Sequence, residues 1–255
     1  MVELQRLAIA LSQLQNQQLM LTAEQQHYLY RVLRLREGDR FIAMDGCGHW
    51  WLTQLNSQEA VAVIQNEIFV KSELPIDVTL MAALPKGNGF DDVVRQAVEL
   101  GAHCIMPVVS DRTLLKPSSQ KIERWRRIAA EAAEQSERQI VPTILEPVSF
   151  AVGVENCDRK YRYICVTRGE SWNLLNCLLT DFDNPQPSLE RGEKEGDKFS
   201  QSIVIATGPE GGWTDGEVES AIASGFQPVS LGSRILRAVT APIVALSLVV
   251  GVLDR

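Results

Sequence analysis

An α/β chain preceded by a small β-rich domain is the fold class the sequence predicts, and three observations predict it. Strand-like apolar runs alternate with helical stretches from residue 76 onward, the pattern of a mainly parallel sheet covered on both faces. Short β-like pieces separated by glycine turns fill the first 70 or so residues. The two regimes meet around residues 71–75, so a chain of 255 residues divides into an N-terminal domain, residues 1–72, and a larger one, residues 73–255.

In the first domain, "RFIAMDG" (40–46) and "AVAVIQ" (60–65) read as strands, with Gly38, Asp39, Gly46 and Gly48 as turn signals. A helix is predicted over residues 23–35 with Thr22 as its cap. Together these pieces predict a small β-barrel. In the second domain, "IDVTLMAAL" (76–84) reads as a buried strand and "FDDVVRQAVELG" (90–101) as an amphipathic helix closed by glycine. The strand "CIMPVV" (104–109), a long helix over 120–138, the strand "YRYICVT" (161–167) and a helix over 172–179 follow. "SIVIAT" resumes the series after an acidic segment, residues 181–200, which is expected to be a mobile surface loop.

Composition removes several classes of function. The longest apolar run, residues 241–253, is about two-thirds of a bilayer span and is interrupted by Pro242, Ser247 and Gly251, so it reads as a buried helix and no membrane partner is expected. No basic stretch followed by an apolar one opens the chain, and a cytoplasmic protein is expected. Five cysteines without a CxxC pair and three dispersed histidines predict neither a disulfide framework nor a metal site. No GxSxG elbow is present. The net charge of −7 argues against nucleic acid, but residues 181–200 alone hold six acidic and three basic residues, which leaves the remainder near −4. Basic clusters occur at Arg31, Arg34 and Arg36 and again at Lys121, Arg124, Arg126 and Arg127.

The stretch "TGPEGGWTDGEVE" (207–219) raises the question of phosphate binding. A Walker loop needs a lysine where Trp213 stands, Glu210 would repel phosphate, and Gly208, Gly211 and Gly212 do not give GxGxxG. Its glycines do let a bulky ligand approach the backbone. Thr214 and Glu217 form a TxxE capping box that ends the loop and starts a helix with Val218, Ala221 and Ile222 inward and Gly225 at its close. A short rigid loop therefore follows a strand, where open α/β sheets bind ligands. Downstream, "LGSRILRAVTAPIVAL" (231–246) sets Arg234 and Arg237 among apolar residues, with Thr240 and Pro242 as a helix start.

These two stretches together resemble the signature of the bacterial 16S ribosomal RNA uridine N3-methyltransferase family. "LPKGNGFDDVVRQAVELGA" (84–102), "IMPVVSDRT" (105–113), "RWRRIAAEAAEQSERQIVP" (124–142), "HYLYRVLRLREGD" (27–39) and "DGCG" (45–48) extend the resemblance over nearly the whole chain except the acidic segment. One departure stands out: where the family has Thr-Glu-Thr-Ala after "ILR", this chain has Ala238, Val239, Thr240 and Ala241, so no role of the family glutamate carries over.

The resemblance implies a PUA-like β-barrel that helps hold RNA, joined to a SPOUT methyltransferase domain ending in a trefoil knot, one of the rare exceptions to unthreaded chains. It implies S-adenosylmethionine as cofactor, 16S ribosomal RNA within the 30S subunit as partner, a uridine of the decoding region as target, and a homodimer. Thr207, Gly208, Pro209, Glu210 and Gly211 would form one wall of the cofactor site, Leu231, Gly232, Ile235 and Leu236 the other, with Val166 and Thr167 at a strand end. The uridine N3 must lose a proton, so a guanidinium that stabilises the anion is needed: Arg237 is favoured, then Arg234, and Glu210 is the nearest candidate base. Arg31, Arg34, Lys86, Arg112, Arg124 and Arg138 are the candidate RNA contacts. Two other readings stay open at this level: a SPOUT enzyme for another RNA position, and a non-enzymatic assembly factor that keeps the fold.

Overall fold

The structure is a computed structural model and describes residues 4–58, 60–113, 117–169, 171–183 and 202–254. Contacts divide the chain into two compact units, one of Met1–Glu73 with Ala130–Val141, the other of Leu74–Ala129 with Pro142–Arg255.

In the first unit, strands β1 (Arg6–Ala8), β2 (Leu14–Gln15), β3 (Gln18–Met20), β4 (Arg40–Met44), β5 (Trp50–Leu55) and β6 (Val61–Ile68) form one curled, half-barrel sheet in the order β1-β4-β5-β6-β3-β2. All pairs are antiparallel except β1 with β4. Leu7, Leu19, Leu29, Phe41, Ala43, Leu55 and Ala62 form its core. Turns form at the four signals: Gly38, Gly46 and Gly48 take positive φ and Asp39 accepts the Arg36 amide, while Asp45 Oδ1 also accepts the Cys47 and His49 amides.

The helix expected over 23–35 is present only in part. Thr22 and Gln25 exchange capping-box hydrogen bonds over α1 (Ala23–Gln26). The chain then widens into a π-helical turn, His27–Val32, and Arg34 takes a positive φ of 58° that ends it.

The second unit is built on parallel strands β7 (Asp77–Ala83), β8 (Cys104–Val109), β9 (Thr143–Ile144), β10 (Val148–Ser149), β11 (Tyr161–Cys165), β12 (Trp172–Asn173), β13 (Ser202–Thr207) and β14 (Gln227–Ser230). Their order is β10-β8-β7-β13-β11-β14-β12, with β9 also on β8. Every residue of β13 is buried, so both faces of the sheet are covered there. The helices are α2 (Gly89–Glu99), α3 (Ser119–Gln135), whose residues from Ala130 on belong to the first unit, α4 (Phe150–Glu155), α5 (Leu174–Asp183), α6 (Asp215–Ala223) and α7 (Ala241–Leu253). Around Met81, Val204 and Ala206, the core gathers Phe150 and Val154 of α4 with Ala221 of α6, while α7 packs with α2 and α5.

Two expectations are corrected here. The helix expected over 172–179 begins at Leu174, because Trp172 and Asn173 pair in register with Val229 and Ser230 as a short strand. Of the acidic segment 181–200, Asp181, Phe182 and Asp183 complete α5: the Tyr163 hydroxyl donates to Asp181, and Phe182 packs on Tyr161 at 4.7 Å between ring centroids. Residues 184–200, where a mobile loop is expected, lie outside the described residues.

Candidate active site

The loops that follow β11, β13 and β14 leave the sheet at its carboxyl end and enclose a cavity of about 790 Å³. Of the residues expected to hold the cofactor, Val166, Thr167, Gly208, Pro209, Glu210, Gly211, Leu231, Gly232, Ile235 and Leu236 all line it. Thr207 does not: it is the last residue of β13, fully buried in register with Ala82 of β7, so its side chain belongs to the sheet interior.

The glycine loop is fixed from below by Trp213. The indole Nε1 donates to the Cys165 carbonyl at 3.2 Å, tying the end of β13 to the end of β11. Its ring packs on Phe150 at 4.3 Å and lies under Gly208, where an added Cβ would stand 3.2 Å from the ring. Gly212 has φ +68° and closes the turn through a 2.8 Å hydrogen bond to Pro209. The capping box is formed, with the Thr214 amide donating to Glu217 at 2.8 Å and the Glu217 amide to the Thr214 hydroxyl at 3.3 Å.

Glu210 Oε1 accepts the Lys86 amide at 2.9 Å, so the carboxylate anchors the loop to the segment after β7. Arg234 and Arg237 are both exposed; Arg234 lines the cavity and Arg237 lies outside the lining. Val239, at the position of the family glutamate, packs instead on Gly89, where an added Cβ would meet its Cγ1 at 2.7 Å.

Several cavity residues escaped sequence reading. Arg168 and Gly169 stand one and two positions beyond the stretch assigned to the strand end. Asp215, Val218, Glu219 and Ile222 form an i, i+3, i+4, i+7 stripe along α6 that faces the cavity. Ile222 was expected inward with the core, but it is 49% exposed on that stripe; the spacing marks the face, not what the face meets.

Among the candidate RNA contacts, Arg31, Arg34 and Lys86 are exposed. Arg124 is half exposed and bonded through Nε to the buried Asp91 at 2.8 Å, which also accepts from Trp125. Arg112 is bonded to the glycine loop. Arg138 is a correction: its side chain is 3% exposed and ion-paired with Glu73, so it is a buried clamp and presents no surface to RNA.

The cavity suits a sulfonium nucleoside. Glycine backbone allows close approach, aliphatic groups of Val218, Ile222, Ile235 and Leu236 can cover apolar parts, and carboxylates and guanidinia stand on its walls for an amino-acid tail. Among the described residues no group of three or more His, Cys, Asp or Glu could hold a metal ion, and no helix is long and apolar enough to cross a membrane.

A parallel sheet with a ligand loop of this kind, in a chain that also holds a half-barrel sheet, is the build of an RNA methyltransferase with a PUA domain. Residues 72–250 match the model for the RNA methyltransferase domain, and residues 21–65 match that for the RNA methyltransferase PUA domain. The chain belongs to the ribosomal RNA small subunit methyltransferase E family. It is 47% identical over 252 residues to the member from Synechocystis sp., covering 98% of this chain and 78% of that one. The Bacillus subtilis member is 33% identical, with 89% and 87% covered. The crystal structure of the Neisseria gonorrhoeae member, bound to S-adenosyl methionine, matches with a TM-score of 0.79 at 27% identity over 98% of both chains. A Legionella pneumophila methyltransferase in complex with the same cofactor also matches at 0.79, with 25% identity and 98% of both chains covered.

Proposed function

We propose that this chain uses S-adenosylmethionine to methylate N3 of a uridine in the decoding region of 16S ribosomal RNA, acting in the cytoplasm on the 30S subunit. Residues 1–72 would help hold RNA, and residues 73–255, with a C-terminal trefoil knot, would carry the transfer. The observation that carries this reading is the convergence of "TGPEGGW" and "LGSRIL" on one cavity at the ends of β11, β13 and β14, in a family with cofactor-bound members.

Bound there, S-adenosylmethionine supplies a methyl group on a positively charged sulfur. The chain's own work is to place and to polarise. Gly208 to Gly212, Leu231 to Leu236 and Val166 to Gly169 hold the cofactor between backbone walls. Uridine N3 carries a weakly acidic proton, so the site must favour the anion left by its loss. Arg234, on the cavity wall, is the group proposed to donate to a flanking uracil oxygen, with Arg237 second. Glu210 keeps one carboxylate oxygen on the Lys86 amide and is assigned to the loop.

The homodimer is part of the same proposal. Helix α7 is apolar apart from Ser247 and Gly251, yet Val244, Ser247, Leu248 and Gly251 form a stripe that is half-buried to exposed. A helix hydrophobic all round belongs in an interior, and a second copy would cover this stripe.

Incubating the protein with labelled S-adenosylmethionine and 30S subunits lacking the modification, then analysing nucleosides by mass spectrometry, tests the function. Label in 3-methyluridine is expected. Label in another nucleoside would move the substrate, and no calorimetric binding of the cofactor would leave an assembly factor.

A further inference from the structure

The loop after β8 was expected to meet RNA through Arg112, but its bonds run inward. The Arg112 guanidinium donates to the carbonyls of Gly211 and, at 3.3 Å, Trp213. These two carbonyls bracket Gly212, the residue of positive φ, so a single guanidinium nitrogen, Arg112 Nη1, braces the turn of the cofactor loop from the cavity wall. The aliphatic stem lies flat on Gly211, where an added Cβ would stand 3.0 Å from Arg112 Cδ and 3.5 Å from its Cβ. A side chain at 211 would therefore push the stem aside by a few tenths of an ångström.

The preceding residue holds the other end of the same segment. The Asp111 amide donates to Glu217 Oε1 at 2.9 Å, and the Thr214 hydroxyl lies 3.2 Å from Asp111 Oδ2. Glu217 is buried, and its second oxygen accepts the Thr214 amide in the capping box. The loop after β8 is itself made stiff by Ser110 and Thr113, whose amide-to-hydroxyl and hydroxyl-to-hydroxyl bonds are 3.1 and 2.9 Å. Two consecutive residues thus fix the turn 211–213 and the start of α6, whose stripe of Asp215, Val218, Glu219 and Ile222 walls the cavity.

We infer that Arg112, resting on the cofactor reading above, is a positioning residue for S-adenosylmethionine and not an RNA contact. It sets the backbone of the glycine loop, while Asp111 fixes the start of α6. Its loss removes two charge-assisted hydrogen bonds to the loop, which corresponds to roughly tenfold to hundredfold weaker cofactor binding.

The test uses the full chain. Calorimetry with S-adenosylmethionine alone, and steady-state kinetics varying cofactor and 30S subunits separately, are run on wild type, Arg112→Ala, Arg112→Lys and Gly211→Ala. Arg112→Ala is expected to raise the cofactor Kd and KM by about tenfold to a hundredfold, with the KM for 30S subunits and its salt dependence unchanged. Lysine, which keeps the charge on a compact ammonium without the planar placement of the Nη1 hydrogens, should restore only part of the affinity. Gly211→Ala keeps the charge but displaces the stem, and should reproduce the cofactor defect even if Arg112→Ala does not fold. An unchanged cofactor Kd in Arg112→Ala or Gly211→Ala, or a 30S affinity that falls with a shallower salt slope, overturns the inference. Failure of wild type to bind the cofactor would instead overturn the proposed function.

Discussion

Replacing Arg138 with alanine should unfold the first unit more readily and leave RNA affinity alone. Arg138 Nε lies 3.2 Å from Glu73 Oε2, and its terminal nitrogen bonds the same oxygen. Glu73 Oε1 accepts the Ile140 amide at 3.1 Å. The side chains are 3% and 15% exposed, so deleting the guanidinium leaves a largely buried carboxylate with only the Ile140 amide and, at 3.5 Å, the Ser72 hydroxyl as donors. Breaking a buried pair from one side costs about 3–5 kcal/mol, a factor of roughly 10²–10³ or more in the unfolding constant. Removing both charges while keeping volume, as in Arg138→Met with Glu73→Gln, should recover most of that loss. Urea denaturation of the single and double variants measures the free energies, and 30S binding at two salt concentrations measures the RNA side. A loss below about 1 kcal/mol in Arg138→Ala, accompanied by weaker 30S binding, would refute the buried-clamp argument.

Other outcomes follow from the site. Glu210→Gln retains an oxygen for the Lys86 amide and should keep kcat within a few-fold, whereas a general base would lose about 10²–10⁴-fold, as read in single-turnover methylation. Gly208→Ala places a Cβ 3.2 Å from the Trp213 ring, a strain of about 1–3 kcal/mol that should appear as weaker cofactor binding in calorimetry. Thr214→Ala removes the capping hydroxyl of α6 and should cost about 1 kcal/mol in urea denaturation. Leu248→Arg, on the half-exposed stripe of α7, should shift the protein to a monomer in sedimentation velocity.

Local signals carried some parts of this molecule and not others. Strand β8 coincides with the apolar run 104–109, and α6 starts where its TxxE box places it, because such signals lie within a few residues. The beginning of α5 did not follow from periodicity, since Trp172 and Asn173 join a sheet edge offered by β14, more than 50 residues downstream. A local clue was nonetheless present: Asn173 Oδ1 accepts the Leu175 amide at 3.0 Å, a helix-start contact of the kind asparagine makes. The cavity walls were legible as two contiguous glycine-containing stretches. Arg112 and Arg138 were not, because an arginine's sequence neighbours do not reveal whether its partner is a phosphate, a carbonyl 99 residues away or a carboxylate 65 residues away.

The strand order has a consequence for the time course of synthesis. Strand β11 lies between β13 and β14, and β7 pairs with β13 from Asp77↔Ser202 to Ala82↔Thr207. Until residues past 200 have left the ribosome, β11 therefore has neither of its lateral partners and β7 has only β8. The β7–β13 pairing, made across more than a hundred residues, must overcome loop-closure entropy before it returns any stabilisation, and parallel pairing of this kind folds slowly. A nascent chain halted before Ser202 would leave β11 and one edge of β7 uncovered, so the second unit is expected to become protease-resistant only after β13 has emerged.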